Sequence, residues 1–172
     1  MKTVAGLILV TAVVLAMGAT PEPPRSGVIG AKGLATAADC SGAVGFSATG
    51  LDRVHSSGLV SYRTTLVDRG VGFSRETGEF TVHCPGIYHV AFAAYSDQAN
   101  TKIVLKKRTS NSTWTEVAGA GGNGSGGGSN QILLDLGVSD QTGVWLVSGD
   151  IAKEQDRAVP STTFTAFRIA KK

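Results

Sequence analysis

The stretch that decides the fold reads Glu79-Phe80-Thr81-Val82-His83-Cys84-Pro85-Gly86-Ile87-Tyr88-His89-Val90-Ala91-Phe92. Its centre holds the pair Pro85-Gly86, and these two residue types are common in turns. After the turn, Tyr88, Val90 and Phe92 alternate with their neighbours, and alternating residues of a strand share one face. The stretch therefore predicts two strands joined by a tight turn.

The same alternation recurs in short runs along the chain, and glycine or polar clusters separate these runs. In one of them, Ile103 and Leu105 share a face, while Val104 and the basic residues Lys102, Lys106 and Arg108 share the other. No segment after residue 18 shows a sustained apolar period of 3.6 residues. Many short strands with regular turn signals predict an all-β sandwich or jelly roll. Further strands are predicted at 44–48, 113–118, 131–136, 144–148 and 162–170, and residues 58–67 contain two more short runs.

The beginning of the chain has the features of an export signal. Lys2 precedes an uncharged apolar run over residues 4–17, which is short for a membrane span of about 20 residues. Small residues at Ala16 and Gly18 suit cleavage after Gly18, so residues 1–18 are predicted to be a signal peptide; an uncleaved anchor is the alternative. No second long apolar run follows, so we expect a secreted protein that does not insert into membranes.

The length and charge of the remaining residues indicate their domain organisation and the class of partner to expect. The prolines at 21, 23 and 24 disfavour a helix, so residues 19–39 are interpreted as a flexible linker and 40–172 as one domain. Only 17% of the 172 residues are charged, and the formal net charge is +3. Such a small excess is weak support for a nucleic-acid partner, and none is predicted.

Two cysteines, Cys40 and Cys84, lie in the exported part. In an oxidising compartment such a pair usually forms one disulfide. An intrachain bridge would contribute about 3–4 kcal/mol in the chain-entropy model. The alternative is a bridge from Cys40 to its counterpart in another subunit.

Two N-glycosylation sequons begin at Asn111 and Asn123. Both lie in polar stretches that we expect to be exposed, and both need a eukaryotic source to be used. The chain is therefore a candidate glycoprotein.

Residues 119–129 contain seven glycines among eleven residues. This composition predicts a mobile loop between two strands, too flexible to be a preformed pocket. Two matches to the dinucleotide-binding glycine spacing are rejected, because a strand rather than a helix follows them.

Searches for catalytic motifs find neither a Gly-x-Ser-x-Gly elbow nor a phosphate loop. His83 and His89 lie in predicted strands but lack a carboxylate or cysteine at a metal-ligand spacing. Loop carboxylates can hold Ca²⁺, yet no loop has the dense spacing of a dedicated site. We therefore predict a protein that is not an enzyme and has no cofactor, with calcium a possibility that no motif supports.

The best-defined charged feature is the run Lys106-Lys107-Arg108 at the end of a predicted strand. Such a run can bind anionic surfaces, for example lipopolysaccharide or sulfated glycans. Its alternative interpretation is a solvated strand edge. We keep the three residues as candidate ligand-binding residues.

Several short motifs, taken together, resemble the globular-head domain of complement C1q. They follow one another at about the spacing of that family and span roughly residues 42 to 170. They are Thr77-Gly78-Glu79-Phe80-Thr81, Cys84-Pro85-Gly86-Ile87-Tyr88 and Ser161-Thr162-Thr163-Phe164-Thr165-Ala166-Phe167. The chain departs from the family in lacking a collagen stalk. Its glycine-rich loop also replaces a segment that carries calcium-binding acids in some relatives.

The resemblance implies a ten-stranded jelly-roll sandwich of the C1q/TNF type that forms a homotrimer. It also implies a secreted recognition protein that binds glycoconjugates or other anionic surface ligands, in innate immunity for example. The alternatives are a hormone-like or synaptic-organiser-like ligand of a protein receptor, and a jelly-roll enzyme, for which no catalytic cluster is visible. Large aromatic side chains are expected to fill the sandwich core and the trimer axis. These residues are Phe46, Phe80, Tyr88, Phe92, Trp145, Phe164 and Phe167.

Overall fold

Ten β-strands make up the regular structure of the described residues, which in this computed structural model are 40–69, 72–110, 112–153 and 159–172. No helix in these ranges is long and apolar enough to cross a membrane. The predicted signal peptide and linker lie outside the described residues. The strands are β1 (Gly45–Val54), β2 (Val60–Arg69), β3 (Gly72–Phe73), β4 (Phe80–Thr81), β5 (Gly86–Ala94), β6 (Lys102–Arg108), β7 (Thr115–Gly121), β8 (Gly128–Leu136), β9 (Gln141–Ser148) and β10 (Thr163–Lys171).

The strands form two five-stranded antiparallel sheets. Sheet 1 has the order β2-β1-β10-β5-β8, and sheet 2 has the order β3-β4-β9-β6-β7. Neighbouring strands are mostly distant in the chain, as in a jelly roll. The predicted all-β fold with ten strands is confirmed.

The inner faces of the two sheets enclose one main apolar core. Alternation along β5 points Tyr88, Val90 and Phe92 inward, and their exposed fractions do not exceed 1%. The ring of Phe46 lies 5.0 Å from that of Phe164 and 5.1 Å from that of Phe80. Five of the seven aromatic residues predicted for the core or the trimer axis are therefore in this core.

Trp145 is not part of this core, contrary to the prediction from its size. Val144 points inward from β9, so the adjacent Trp145 points to the outer face of sheet 2. There it forms a small second cluster with Leu59 and Val104, against which Trp114 packs.

The glycine-rich segment forms a shorter loop than its composition predicted. β7 continues to Gly121 because Lys102 pairs with Gly121 and Val104 pairs with Gly119. β8 begins at Gly128. Pairing with neighbouring strands therefore overrides the low strand propensity of glycine, and only residues 122–127 form the turn.

The motif Thr77-Gly78-Glu79 forms a turn that requires glycine. Gly78 has φ +78°, and a Cβ atom there would lie 1.8 Å from the carbonyl oxygen of Val60. A side chain at this position would force the turn away from β2.

The sandwich has two ends, which differ in what they present. At the entry end, where the chain enters at Cys40, β1 and β5 begin and β10 finishes. At the distal end, β5 finishes at Ala94 and β6 begins at Lys102. The turn between β7 and β8 also lies at the distal end.

Candidate recognition surfaces

The outer face of sheet 1 carries exposed apolar side chains that a monomer would leave in water. We call this surface the assembly face and define it by Val67, Ile87, His89, Leu133 and Phe167. In the strand register, Phe167 lies opposite His89, and His89 lies opposite Leu133. The exposed fractions are 60% for Leu133 and 46% for Phe167. Such a contiguous apolar surface is typical of a protein–protein interface.

Phe167 belongs to this face and not to the core. Phe164, three residues earlier, is fully buried, as expected for residues of odd spacing on one strand. A groove of about 240 Å³ lies beside Phe167, between β1, β2 and β10. Phe167 is therefore available for contact with a second molecule.

His89 lies within the assembly face without the surroundings of a metal site. Its Nε2 is 3.1 Å from Oε1 of Gln131, and its ring is 5.1 Å from the ring of Phe167. Across the described residues, no three His, Cys, Asp or Glu side chains lie close enough to hold a metal ion. The His89 ring thus contacts one aromatic side chain and one side-chain amide.

The outer face of sheet 2 carries two indole rings in tilted contact, with a cation over each ring. The rings of Trp114 and Trp145 are 4.6 Å apart. Nζ of Lys106 lies 5.5 Å from the centre of the Trp145 ring, and the Arg108 guanidinium lies 4.4 Å from that of Trp114. These cation–π contacts hold both basic side chains against the protein.

The structure separates the three basic residues predicted to bind a ligand. Lys106 and Arg108 share the outer face of sheet 2. Lys107 points to the other side, where its Nζ lies 3.2 Å from a carboxylate oxygen of Asp140 and donates a hydrogen bond to the carbonyl of Asp135. The run is therefore not a single patch.

Lys106 and Arg108 also have polar partners within the domain. Nζ of Lys106 is 3.4 Å from a carboxylate oxygen of Glu116, and Nε of Arg108 donates to Oε1 of Gln141 over 2.6 Å. Glu116 offsets part of the positive charge of Lys106, whereas the neutral amide of Gln141 positions Arg108 without offsetting its charge. A role for the run in binding anionic surfaces stays a prediction.

A disulfide between Cys40 and Cys84 fastens the entry end within one chain. Their Cα atoms are 5.5 Å apart and 44 residues separate them in sequence. The guanidinium of Arg168 donates hydrogen bonds to the carbonyl groups of Cys40 and Pro85. The start of the domain is thereby attached to β5 and β10.

A cleft of about 440 Å³ opens at the distal end. We call it the distal cleft. Residues 119–122 of β7 and the following turn line it, and the side chains around them come from that turn and from two other segments of the chain. These side chains are Asn100, Lys102, Asn123 and Ser148.

Hydrogen bonds fix the walls of the distal cleft. The amide of Gly126 donates to the carbonyl of Ser96 over 2.7 Å. The side-chain amide of Asn130 donates to the carbonyl of Gly119 over 2.8 Å. The buried hydroxyl of Thr101 donates to the Ser96 hydroxyl over 2.8 Å and to the Asp150 carbonyl over 3.1 Å. These hydrogen bonds connect the glycine-rich turn to its neighbouring loops, and the mobility expected from its composition stays a prediction.

One of the two predicted sequons can be located. Asn123 is exposed in the turn between β7 and β8 and lines the distal cleft. Asn111 lies outside the described residues.

Comparisons with known proteins give a consistent picture of the fold. A family model described as the C1q domain matches residues 45–169. No curated protein sequence is significantly similar to the chain.

Solved structures with the same architecture come from distant sequences. The globular domain of zebrafish complement 1qA has 21% identity and a TM-score of 0.57, covering 76% of this chain and 100% of its own. Eiger TNF from S. frugiperda has 13% identity and a TM-score of 0.56, covering 76% of this chain and 94% of its own. Murine APRIL has 10% identity and a TM-score of 0.59, covering 74% of this chain and 100% of its own. At these identities the likeness establishes the fold alone.

Proposed function

Because the chain belongs to the C1q domain family, we propose that it is a secreted, homotrimeric recognition protein that binds glycoconjugates on surfaces. It acts by binding and not by catalysis. Lipopolysaccharide and sulfated glycans are the anionic ligands of this class, and pattern recognition in innate immunity is the corresponding role.

The observation that carries the proposal is the assembly face. Its apolar side chains include Leu133, Phe167 and Val67, whose exposed fractions are 60%, 46% and 48%. Removing a side chain of this size from water contributes about 1.5–3 kcal/mol when burial is complete. A second copy of the chain is the occupant we propose, because the family implies assembly through like domains.

Assembly also determines how such a protein recognises its ligand. A trimer presents each ligand site three times on one rigid body. Weak single contacts then give an apparent affinity about a hundredfold or more above that of one site when the target is repetitive. Glycans on cell surfaces are repetitive targets.

The proposal is tested on a glycan array that includes lipopolysaccharides. The protein is expressed from its full-length sequence and exported. It is compared with a Leu133→Asp variant and with a Val147→Asp variant, which is the matched control. Val147 is 49% exposed and lies on sheet 2, away from the assembly face. Circular dichroism checks that all three proteins fold.

The parent protein and Val147→Asp are expected to bind the same subset of glycans. Leu133→Asp is expected to be a monomer with apparent binding weaker by about a hundredfold or more. A parent protein that binds no glycan would overturn glycan recognition and favour a protein receptor. Equal binding by the monomeric variant would overturn the role of the trimer.

A further inference from the structure

We infer that the distal cleft is a binding site for an anionic saccharide, one that carries a carboxylate or sulfate group beside free hydroxyl groups. This inference rests on the proposed recognition function and locates it at a particular site. Four observations on the described residues lead to it.

The first observation is the size and shape of the cleft. Its volume of about 440 Å³ lies within the range of ~300–1,000 Å³ that is typical of small-molecule sites. The floor bears almost no side chains, since it consists of Gly119, Ala120, Gly121 and Gly122. A Cβ atom on Gly122 would meet no atom within 4 Å, so packing does not explain the glycine at that position. The open floor allows a ligand to approach the backbone closely.

The second observation is the chemistry of the rim. Lys102 is exposed and forms no salt bridge with any residue that the structure describes. Asn100 and Asn123 add amide groups, each of which can donate and accept hydrogen bonds. No carboxylate belongs to the lining. A single cation with amides around it matches a ligand that has one negative charge and several hydroxyl groups.

The third observation is the contrast between Lys102 and the basic run of β6. Lys106 and Lys107 each have a carboxylate within 3.4 Å. Arg108 stacks on an indole ring. Lys102, on the same strand, has neither kind of partner among the described residues. A ligand anion therefore gains more at Lys102 than at the run.

The fourth observation is that the cleft is already formed. Thr101 and Ser96 connect the loop before β6 to the carbonyl of Asp150, and Gly126 connects the turn to Ser96. A ligand need not order this turn, which would otherwise cost about 1–2 kcal/mol for each residue fixed. Without an aromatic ring in its lining, a single cleft should bind weakly, and three clefts in a trimer would compensate through avidity.

The inference is tested with three defined oligosaccharides. They are an oligogalacturonate that carries carboxylates, a heparin tetrasaccharide that carries sulfates, and neutral maltotetraose. The full-length chain is exported to a bacterial periplasm without N-glycosylation, so that Asn123 is unmodified. Binding is followed by isothermal titration and by amide chemical shifts.

Two pairs of variants probe the cleft. Gly122→Phe fills it, and Gly124→Phe is the matched control, because a Cβ atom on Gly124 also meets nothing within 4 Å but the residue does not line the cleft. Lys102→Gln removes the free cation, and Lys171→Gln removes an exposed lysine at the entry end. A fifth protein, Lys106→Gln with Arg108→Gln, tests the outer face of sheet 2.

We expect at least one anionic oligosaccharide to shift the amides of residues 119–123 and to bind at least tenfold more tightly than maltotetraose. Lys102→Gln should remove that preference, and Gly122→Phe should abolish binding. Gly124→Phe and Lys171→Gln should bind within twofold of the parent. The carboxylated and sulfated probes together identify the group that the cleft prefers.

The outcomes separate this inference from the proposed function. Trimer-dependent glycan binding that survives Gly122→Phe and Lys102→Gln would overturn the distal cleft and leave the recognition function standing. Loss of binding only in the Lys106→Gln, Arg108→Gln protein would move the site to the cluster around Trp114 and Trp145 on the outer face of sheet 2. A parent trimer that binds no saccharide would overturn both.

Discussion

Two buried tyrosines of the core differ in what their hydroxyl groups contact. Tyr62 is 1% exposed, and its hydroxyl has no hydrogen-bond partner among the described residues. The Tyr88 hydroxyl donates to the carbonyl of Cys84. A buried polar group without a partner costs about 1–3 kcal/mol, whereas a formed hydrogen bond contributes about 0.5–1.5 kcal/mol.

We therefore predict opposite effects from the same substitution. Tyr62→Phe should raise the free energy of unfolding by about 1 kcal/mol, and Tyr88→Phe should lower it by about 1 kcal/mol. Urea denaturation at fixed protein concentration measures both. A Tyr62→Phe variant that is less stable than the parent would contradict the assignment of an unsatisfied hydroxyl.

Alkaline pH gives a second readout of the same pair. Burial raises the pKa of Tyr62 above its ordinary range. Burial also raises the pKa of Tyr88 to about 12, although the positive charge of Arg168 lowers it in part. Between about pH 10 and 12 the unfolded chain loses tyrosine protons that the folded chain keeps, so stability falls by about 1.4 kcal/mol per pH unit for each tyrosine. Either Phe variant should show a shallower fall, and an unchanged slope would contradict this account.

At the scale of the elements, the alternation of residues along a strand predicted which side chains are buried. Side-chain size alone did not predict this. The inward residues of β5, and Ile103 and Leu105 of β6, follow directly from a period of two. The size of Trp145 predicts a core position, although the inward direction of its neighbour Val144 in β9 places Trp145 on the outer face. The same period of two places Lys107 on the opposite face of β6 from Lys106 and Arg108.

The local sequence could not predict which strands pair with one another. The distal cleft exists because β6 lies between β7 and β9, which brings Lys102 close to Asn123 and Ser148. Glycine composition predicts a loop over 119–129, but ladder hydrogen bonds to β6 extend β7 to Gly121. The single local signal for the site was the position of Lys102, at the start of a strand and after a polar loop.

The disulfide at the entry end is expected to contribute to the free energy of unfolding. Replacing both Cys40 and Cys84 with Ala removes a bridge that closes 44 residues. The free energy of unfolding should fall by about 3–4 kcal/mol, mainly because the unfolded chain gains freedom. Denaturation with and without reductant measures the change, and reductant should affect only the parent. A covalent dimer of the parent on a non-reducing gel would show instead that Cys40 bridges two subunits.

At the scale of the whole molecule, the two ends of the sandwich carry different features. The chain enters through the disulfide-linked end, and the distal cleft opens at the opposite end. The assembly face lies on sheet 1, and the cleft lies beside sheet 2. Trimerisation through sheet 1 would therefore leave three clefts accessible.

The mass of the exported protein in solution shows whether the assembly face joins three chains. Light scattering at micromolar concentration should give three times the mass of one chain, because the assembly face exposes apolar area that a monomer would leave in water. Leu133→Asp should reduce that mass to one chain, and Val147→Asp should not. A parent protein that stays monomeric at this concentration would contradict the central claim.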